Sequence, residues 1–141
     1  MNDKFFLDTN IIVYSFDIAN PEKRQNAQKL IAHALSTHQG CISSQVIQEF
    51  FNVATRKFAT PLSINDCQIY LTTVLDPLCE AFTSIELYHQ ALEILNRWQF
   101  SFYDALIIAA ALHAKCSILY TEDLQHGQVI QNLKIINPFF P

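Results

Sequence analysis

The sequence reads as a single α/β domain over residues 1–141, built on a central parallel sheet with helices on both faces. Three observations carry that reading. Short strand-like runs alternate with longer helical ones, and parallel neighbours need crossover helices. Half of the residues are hydrophobic while only 2 are Gly and 5 are Pro, which excludes a disordered, collagen-like or low-complexity chain. No linker, internal repeat or charge block divides the chain, and it is far shorter than the roughly 250 residues of a closed eight-fold barrel.

The elements follow in order. Lys4-Phe5-Phe6-Leu7 is a short apolar strand ending at Asp8. Pro21 to about His38 is a helix: Asn20 stands where it can cap, Pro21 suits the first helical position, and Ala27, Leu30, Ile31, Ala34 and Leu35 keep one face. Gly40 ends that stretch before the strand Cys41-Ile42-Ser43. Val46, Ile47, Phe50, Phe51 and Ala54 mark the next helix, over before Pro61. Ser63 and Asp66 have capping-box spacing and open a helix carrying Ile64, Leu71, Val74 and Leu75, which Pro77 is expected to stop. Glu80-Ala81-Phe82 is the third strand, and Ser84 caps a helix with Leu87, Ala91, Leu92, Leu95 and Trp98. Ser101 and Asp104 repeat the capping spacing ahead of the helix Ala105–Lys115, whose Ala-rich apolar run implies burial on nearly all sides. Ser117-Ile118-Leu119-Tyr120 is the clearest strand; a loop leads from it to a weaker last one, Leu133–Ile136, before Pro138.

Several classes fall away at once. The longest apolar run, Ala105–Leu112, is much shorter than the ~20 residues of a membrane helix. Met1-Asn2-Asp3-Lys4, with Asp8 interrupting the following apolar stretch, does not read as a secretory leader. Cys41, Cys67, Cys79 and Cys116 form no C-x-x-C pair and sit in apolar segments, so neither a zinc site nor a disulfide framework is expected and a reducing cytoplasm is the expected compartment. The only glycines, Gly40 and Gly127, leave no Rossmann or P-loop fingerprint. Ser43 and Ser44 lack a G-x-S-x-G context, and His126 reads as a turn residue. The net charge of −4 decides nothing: nucleic-acid binders usually carry excess Lys and Arg, yet four carboxylates committed to a metal would leave the rest neutral.

In an open parallel sheet, ligands bind beyond the carboxyl ends of the strands. Asp8 directly follows the first strand, and Thr121, Glu122 and Asp123 follow the strand ending at Tyr120. Asp104 opens the helix leading into that strand, and Glu49 lies about 7 Å into the helix that begins near Ser44. Four carboxylates from four separated segments therefore map to one rim. Their neighbours are greasy: Phe5-Phe6-Leu7 and Ile11-Ile12-Val13 around Asp8, Val46-Ile47 and Phe50-Phe51 around Glu49, Phe102-Tyr103 and Ala105-Leu106 around Asp104. Charges in such surroundings must be paired, hydrogen-bonded or metal-bound. Each acid also has a structural use: Asp104 in a capping box, Asp123 in a loop, Glu49 on a helix surface. The conjunction is what favours a site, where Mg²⁺ or Mn²⁺, which take hard oxygen ligands, would offset the mutual repulsion. Lys23, Arg24, Lys29, Arg56, Lys57 and Arg97 form either a phosphate track or a solvated face.

Phe6-Leu7-Asp8-Thr9-Asn10, Ile42-Ser43-Ser44-Gln45-Val46-Ile47-Gln48-Glu49-Phe50, Phe102-Tyr103-Asp104-Ala105-Leu106-Ile107 and Leu119-Tyr120-Thr121-Glu122-Asp123-Leu124-Gln125-His126-Gly127, in that order, resemble a PIN-domain protein, and within that superfamily a VapC-type toxin. The resemblance covers nearly the whole chain. It implies a Rossmann-like three-layer fold, endoribonuclease activity dependent on Mg²⁺ or Mn²⁺, a homodimer, and a small cognate antitoxin engaging the acidic groove. Carried over position by position, Asp8, Glu49, Asp104 and Asp123 match the acidic quartet, and Thr9, Asn10 and Thr121 match the polar positions that support it. Asp123 is preferred to Glu122 on register. The rivals are a non-catalytic PIN-like module binding RNA or protein, and an Asp-nucleophile phosphatase; the latter carries a second Asp where this chain has Asn10.

Overall fold

Phe5, Phe6 and Leu7 are all buried and form β1 (Phe5–Leu7), the strand around which the computed structural model, describing residues 3–140, is organised. The leader reading of Met1-Asn2 and the extreme ends of the expected domain lie outside the described residues. After β1 come α1 (Thr9–Tyr14), α2 (Pro21–Thr37), β2 (Gly40–Ser43), α3 (Ser44–Ala54) and α4 (Ile64–Tyr70). A π-helical turn (Leu71–Leu75) joins α4 to the short α5 (Asp76–Leu78). Then follow β3 (Cys79–Ala81), α6 (Ile85–Trp98), α7 (Phe102–His113), β4 (Ile118–Tyr120), β5 (Val129–Ile130) and β6 (Leu133–Ile136).

The strands lie in the order β3-β2-β1-β4-β6-β5. All neighbours are parallel except β5, which turns back antiparallel on β6. Phe5 pairs in register with Gly40 on one side and Ile118 on the other. Helices flank the sheet. α7, buried continuously from Ala105 to Ala111, packs on α6 and touches β2, β3 and β4, as its apolar run requires. On the α2 side a Cβ on Gly40 would stand 2.3 Å from the Ala34 Cβ and 2.6 Å from the Phe5 ring, so glycine is what lets α2 approach β2. All four cysteines are free thiols, Cys41 and Cys116 meeting in the core with sulfurs 3.4 Å apart. Among the described residues no helix is long and apolar enough to cross a membrane.

Ser63, Ser84 and Ser101 cap as expected, each hydroxyl accepting from the backbone N–H three residues on. Five details differ from the sequence reading. α1 is an additional helix, seeded by Asp8 as its cap rather than by any apolar periodicity of its own. Asn20 makes no side-chain cap, its amide donating instead to Asp17. Helix continues through Pro77, because Pro77 falls at the start of α5 just after the chain has widened into a π turn that relieves the usual clash with the preceding turn. α7 begins at Phe102, so Asp104 lies inside its first turn. The loop between β4 and β6 contains β5, too short at two residues to show alternation.

Candidate active site

Asp8 leaves β1 with extended backbone (φ −70°, ψ 163°) and becomes the N-cap of α1. Its backbone N–H donates to the Tyr120 carbonyl at 3.0 Å, which aligns the carboxyl ends of β1 and β4. One side-chain oxygen accepts the Thr9 N–H at 2.7 Å and the other accepts the Thr121 hydroxyl at 2.7 Å. Thr121 is fully buried, and its Oγ1 also accepts from the Asp123 N–H at 3.1 Å and from the Asn10 amide at 3.4 Å. Asn10 donates to Asp123 Oδ2 at 3.0 Å. The Thr9 hydroxyl donates to Glu49 Oε1 at 2.6 Å, spanning from α1 to α3. Thr9, Asn10 and Thr121, expected to support the acids, thus bind Asp8, Glu49 and Asp123 into one network.

Asp104 stands apart from that network. It lies half-buried in the first turn of α7, its N–H received by Ser101 Oγ at 3.2 Å. Its link is indirect: the neighbouring Tyr103 carbonyl accepts from Gln45 at 3.3 Å, and the same Gln45 amide donates to Glu49 Oε2 at 3.1 Å. Gln45 was not anticipated, although its place four residues before Glu49 on one helix face was readable. Glu122 is a different matter. It accepts from the Tyr14 hydroxyl and from Lys23 Nζ at 2.6 Å, with the Lys23 ammonium 4.7 Å above the Tyr14 ring. Burial works against its charge, but the Lys23 and Tyr14 hydrogen bonds outweigh that and hold Glu122 below the usual carboxylate range. Lys23 is therefore engaged with an acid rather than free for a phosphate.

Between these elements opens a groove of about 520 Å³ whose walls include Thr9, Asn10, Glu49, Asn52, Glu122 and Asp123. Asp8, directly before Thr9 of that wall, is only 6% exposed. Burial, reinforced by the charges of Asp123 and Glu49, raises its carboxyl to about 7 against the pull of the Thr121 and Thr9 hydrogen bonds. Among the described residues the ion pairs are Lys4–Glu80 and Lys23–Glu122, so Asp8, Glu49, Asp104 and Asp123 have no Lys or Arg partner there. Among the same residues, no three carboxylate, imidazole or thiol groups close into a ready-made metal cage. The donor set is nevertheless hard oxygen with uncompensated negative charge. It suits a hard divalent cation that retains several waters rather than zinc.

The PIN-domain family model matches residues 5–129, and the chain belongs to the PIN-domain family. No curated protein sequence matches it significantly. Among solved structures it is similar to a toxin–antitoxin complex from Klebsiella pneumoniae, with 18% identity, TM-score 0.66, and 95% of this chain and 97% of that one covered. Mycobacterium tuberculosis VapC20, described as a toxin cleaving the sarcin–ricin loop, shares 22% identity at TM-score 0.61 over 84% of this chain and 89% of its own. VapBC2 from Rickettsia felis, solved with a DNA fragment from its promoter, shares 21% at TM-score 0.61, covering 93% and 96%. These likenesses extend over the whole fold.

Proposed function

We propose that this chain is a Mg²⁺- or Mn²⁺-dependent endoribonuclease that hydrolyses RNA phosphodiester bonds as the toxin of a VapBC-type pair in the cytoplasm. The observation that carries this reading is the buried Asp8 carboxyl, linked by hydrogen bonds to the setting of Asp123 and Glu49 and lacking a Lys or Arg partner among the described residues. PIN-family membership and toxin neighbours support it. Asp8, Asp104 and Asp123 hold the cation, and Glu49 is a further ligand or orients the attacking water. Bound there, a divalent ion supplies Lewis-acid polarisation of the phosphate and a more acidic water.

The chain's own residues do the rest. Thr9 and Thr121 fix both oxygens of Asp8, and Asn10 fixes Asp123, so the ligands are held in place before substrate arrives. Proton loss from Asp8 is required for ligation, and burial raises its pKa to about 7, so this residue becomes ready to ligate as pH climbs through that value. The resemblance adds a homodimer and a small antitoxin that occupies or covers the groove.

Purified protein given single-stranded RNA with Mg²⁺ or Mn²⁺ should cleave it, and EDTA should stop the reaction. Absence of cleavage with either ion across several RNAs would leave the rival of a non-catalytic RNA- or protein-binding module. Expression should arrest growth, relieved by a partner encoded alongside.

A further inference from the structure

Gln45 lies one turn before Glu49 in α3, and packing alone does not explain a buried amide there. The residue is only 6% exposed. Its side-chain nitrogen is fully committed, 3.1 Å from Glu49 Oε2 and 3.3 Å from the Tyr103 carbonyl oxygen. Both partners are acceptors, which fixes the amide orientation: turned over, Oε1 would face two oxygens. Oε1 is consequently left buried without a partner among the described residues, as are Arg24 Nε and Gln39 Oε1 elsewhere. A Met or Leu at this position would fill the space without leaving an orphaned acceptor.

Two consequences follow from the geometry. Thr9 holds Oε1 of Glu49 and Gln45 holds Oε2, so each carboxylate oxygen is gripped from a different residue and keeps lone pairs free. Through Tyr103, the same amide ties α3 to the first turn of α7, which carries Asp104.

We infer that Gln45 is a positioning residue that fixes Glu49 relative to the first turn of α7, which carries Asp104. This rests on the proposed nuclease site in taking Glu49 to serve a cation. Gln45→Met keeps the length of the side chain and removes the amide. Mn²⁺ titration followed by electron paramagnetic resonance should show affinity about tenfold weaker than wild type, the effect typical of losing a group that orients a metal ligand. The cation-free variant should melt at or above the wild-type temperature, because the orphaned acceptor is gone. RNA cleavage should lose kcat with KM little changed.

A folded Gln45→Met variant with wild-type Mn²⁺ affinity overturns the inference, as does a lowered melting temperature without any change in affinity. Should that variant not fold, Gln45→Asn carries the same expectation for Mn²⁺ affinity, being one methylene too short to reach both acceptors. A wild type that binds Mn²⁺ yet cleaves no RNA sinks the nuclease reading while the affinity comparison still decides on Gln45. A wild type that binds no Mn²⁺ overturns both.

Discussion

Two charged residues bracket β1, and their fates differ. Lys4, entering the strand, meets Glu80 of β3 in an ion pair. Asp8, leaving it, meets one hydroxyl, a backbone N–H and the charges of two more acids, with no ammonium or guanidinium partner among the described residues. A similar contrast recurs between adjacent residues after β4, where Glu122 is neutralised by Lys23 and the Asp123 carboxylate has, among the described residues, only the Asn10 amide. Compensated charges cost a fold little. An uncompensated buried carboxyl such as Asp8 must either hold a proton or be completed by something outside the polypeptide, which sets it apart from the ion-paired Lys4 and Glu122.

The strongest way to break this comparison is Asp8→Asn. Asn can keep both neighbours, its oxygen accepting from Thr9 and its amide donating to Thr121, whose hydroxyl is then free to turn. The charge alone is lost. Metal-dependent RNA cleavage by the purified protein should fall on the order of 10³-fold, about 4 kcal/mol of transition-state stabilisation. The cation-free variant should melt no lower than wild type at pH 8. Unchanged cleavage would remove Asp8 from the site.

The pH dependence of stability is the next test. Because the folded pKa of Asp8 lies near 7, above its ordinary value of 3.8, the folded state holds a proton that the unfolded state releases. Stability without metal should therefore be fully present below about pH 4 as far as this group is concerned, and decline as pH rises through 7. The decline amounts to roughly 4 kcal/mol. Denaturant melts between pH 4 and pH 8 should show most of it. Millimolar Mn²⁺ should shrink it by binding the ionised form, and Asp8→Asn should abolish it. A flat profile would mean that Asp8 is compensated after all.

Much of this was legible in the residues. Asp8, Glu49 and Asp123 could be placed on one rim because each directly follows a strand or sits early in the helix after one, and topology alone brings such positions together. Asp104 was placed on the same rim, but its connection runs through Gln45 and the Tyr103 carbonyl, a tertiary contact that no local pattern encodes. α1 escaped notice because its six residues, Thr9 to Tyr14, include three β-branched apolar ones and follow a strand. The ends of α2 and α6 fall where the sequence puts them, but the caps themselves carry no signal: His38 and Gln99 take the left-handed conformation (φ 58° and 60°) that glycine usually announces. The continuation through Pro77 depended on a π turn, whose hydrogen bonding has no sequence signature of comparable strength.

Packing on the α2 side of the sheet offers a sharper contrast, since it should affect stability and leave the site alone. Gly40→Ala drives a methyl into the Ala34 Cβ and the Phe5 ring, and the backbone of β2 or α2 must shift to admit it. The expected loss is about 1–3 kcal/mol, read as a lower denaturation midpoint with unchanged slope. Mn²⁺ affinity should stay within about twofold of wild type. A large loss of affinity would show that the site feels the packing of β2 and that the two regions are not independent.

The smallest effect belongs to the compensated charge itself. Lys4 and Glu80 are partly exposed, with side-chain exposures of 22% and 38%, so solvent screens much of their attraction. Burial works against the Lys4 charge, but the Glu80 hydrogen bond and the charge attractions around it together outweigh burial and raise the Lys4 pKa. Lys4→Met should change stability by no more than about 1 kcal/mol. It should leave the pH profile between 5 and 8 as it was, because a group raised from 10.5 titrates far above that window. If Lys4→Met instead altered the pH profile or the Mn²⁺ affinity, the Lys4 charge would be reaching Asp8 along β1, and Asp8 would not be the uncompensated acid on which the proposed site depends.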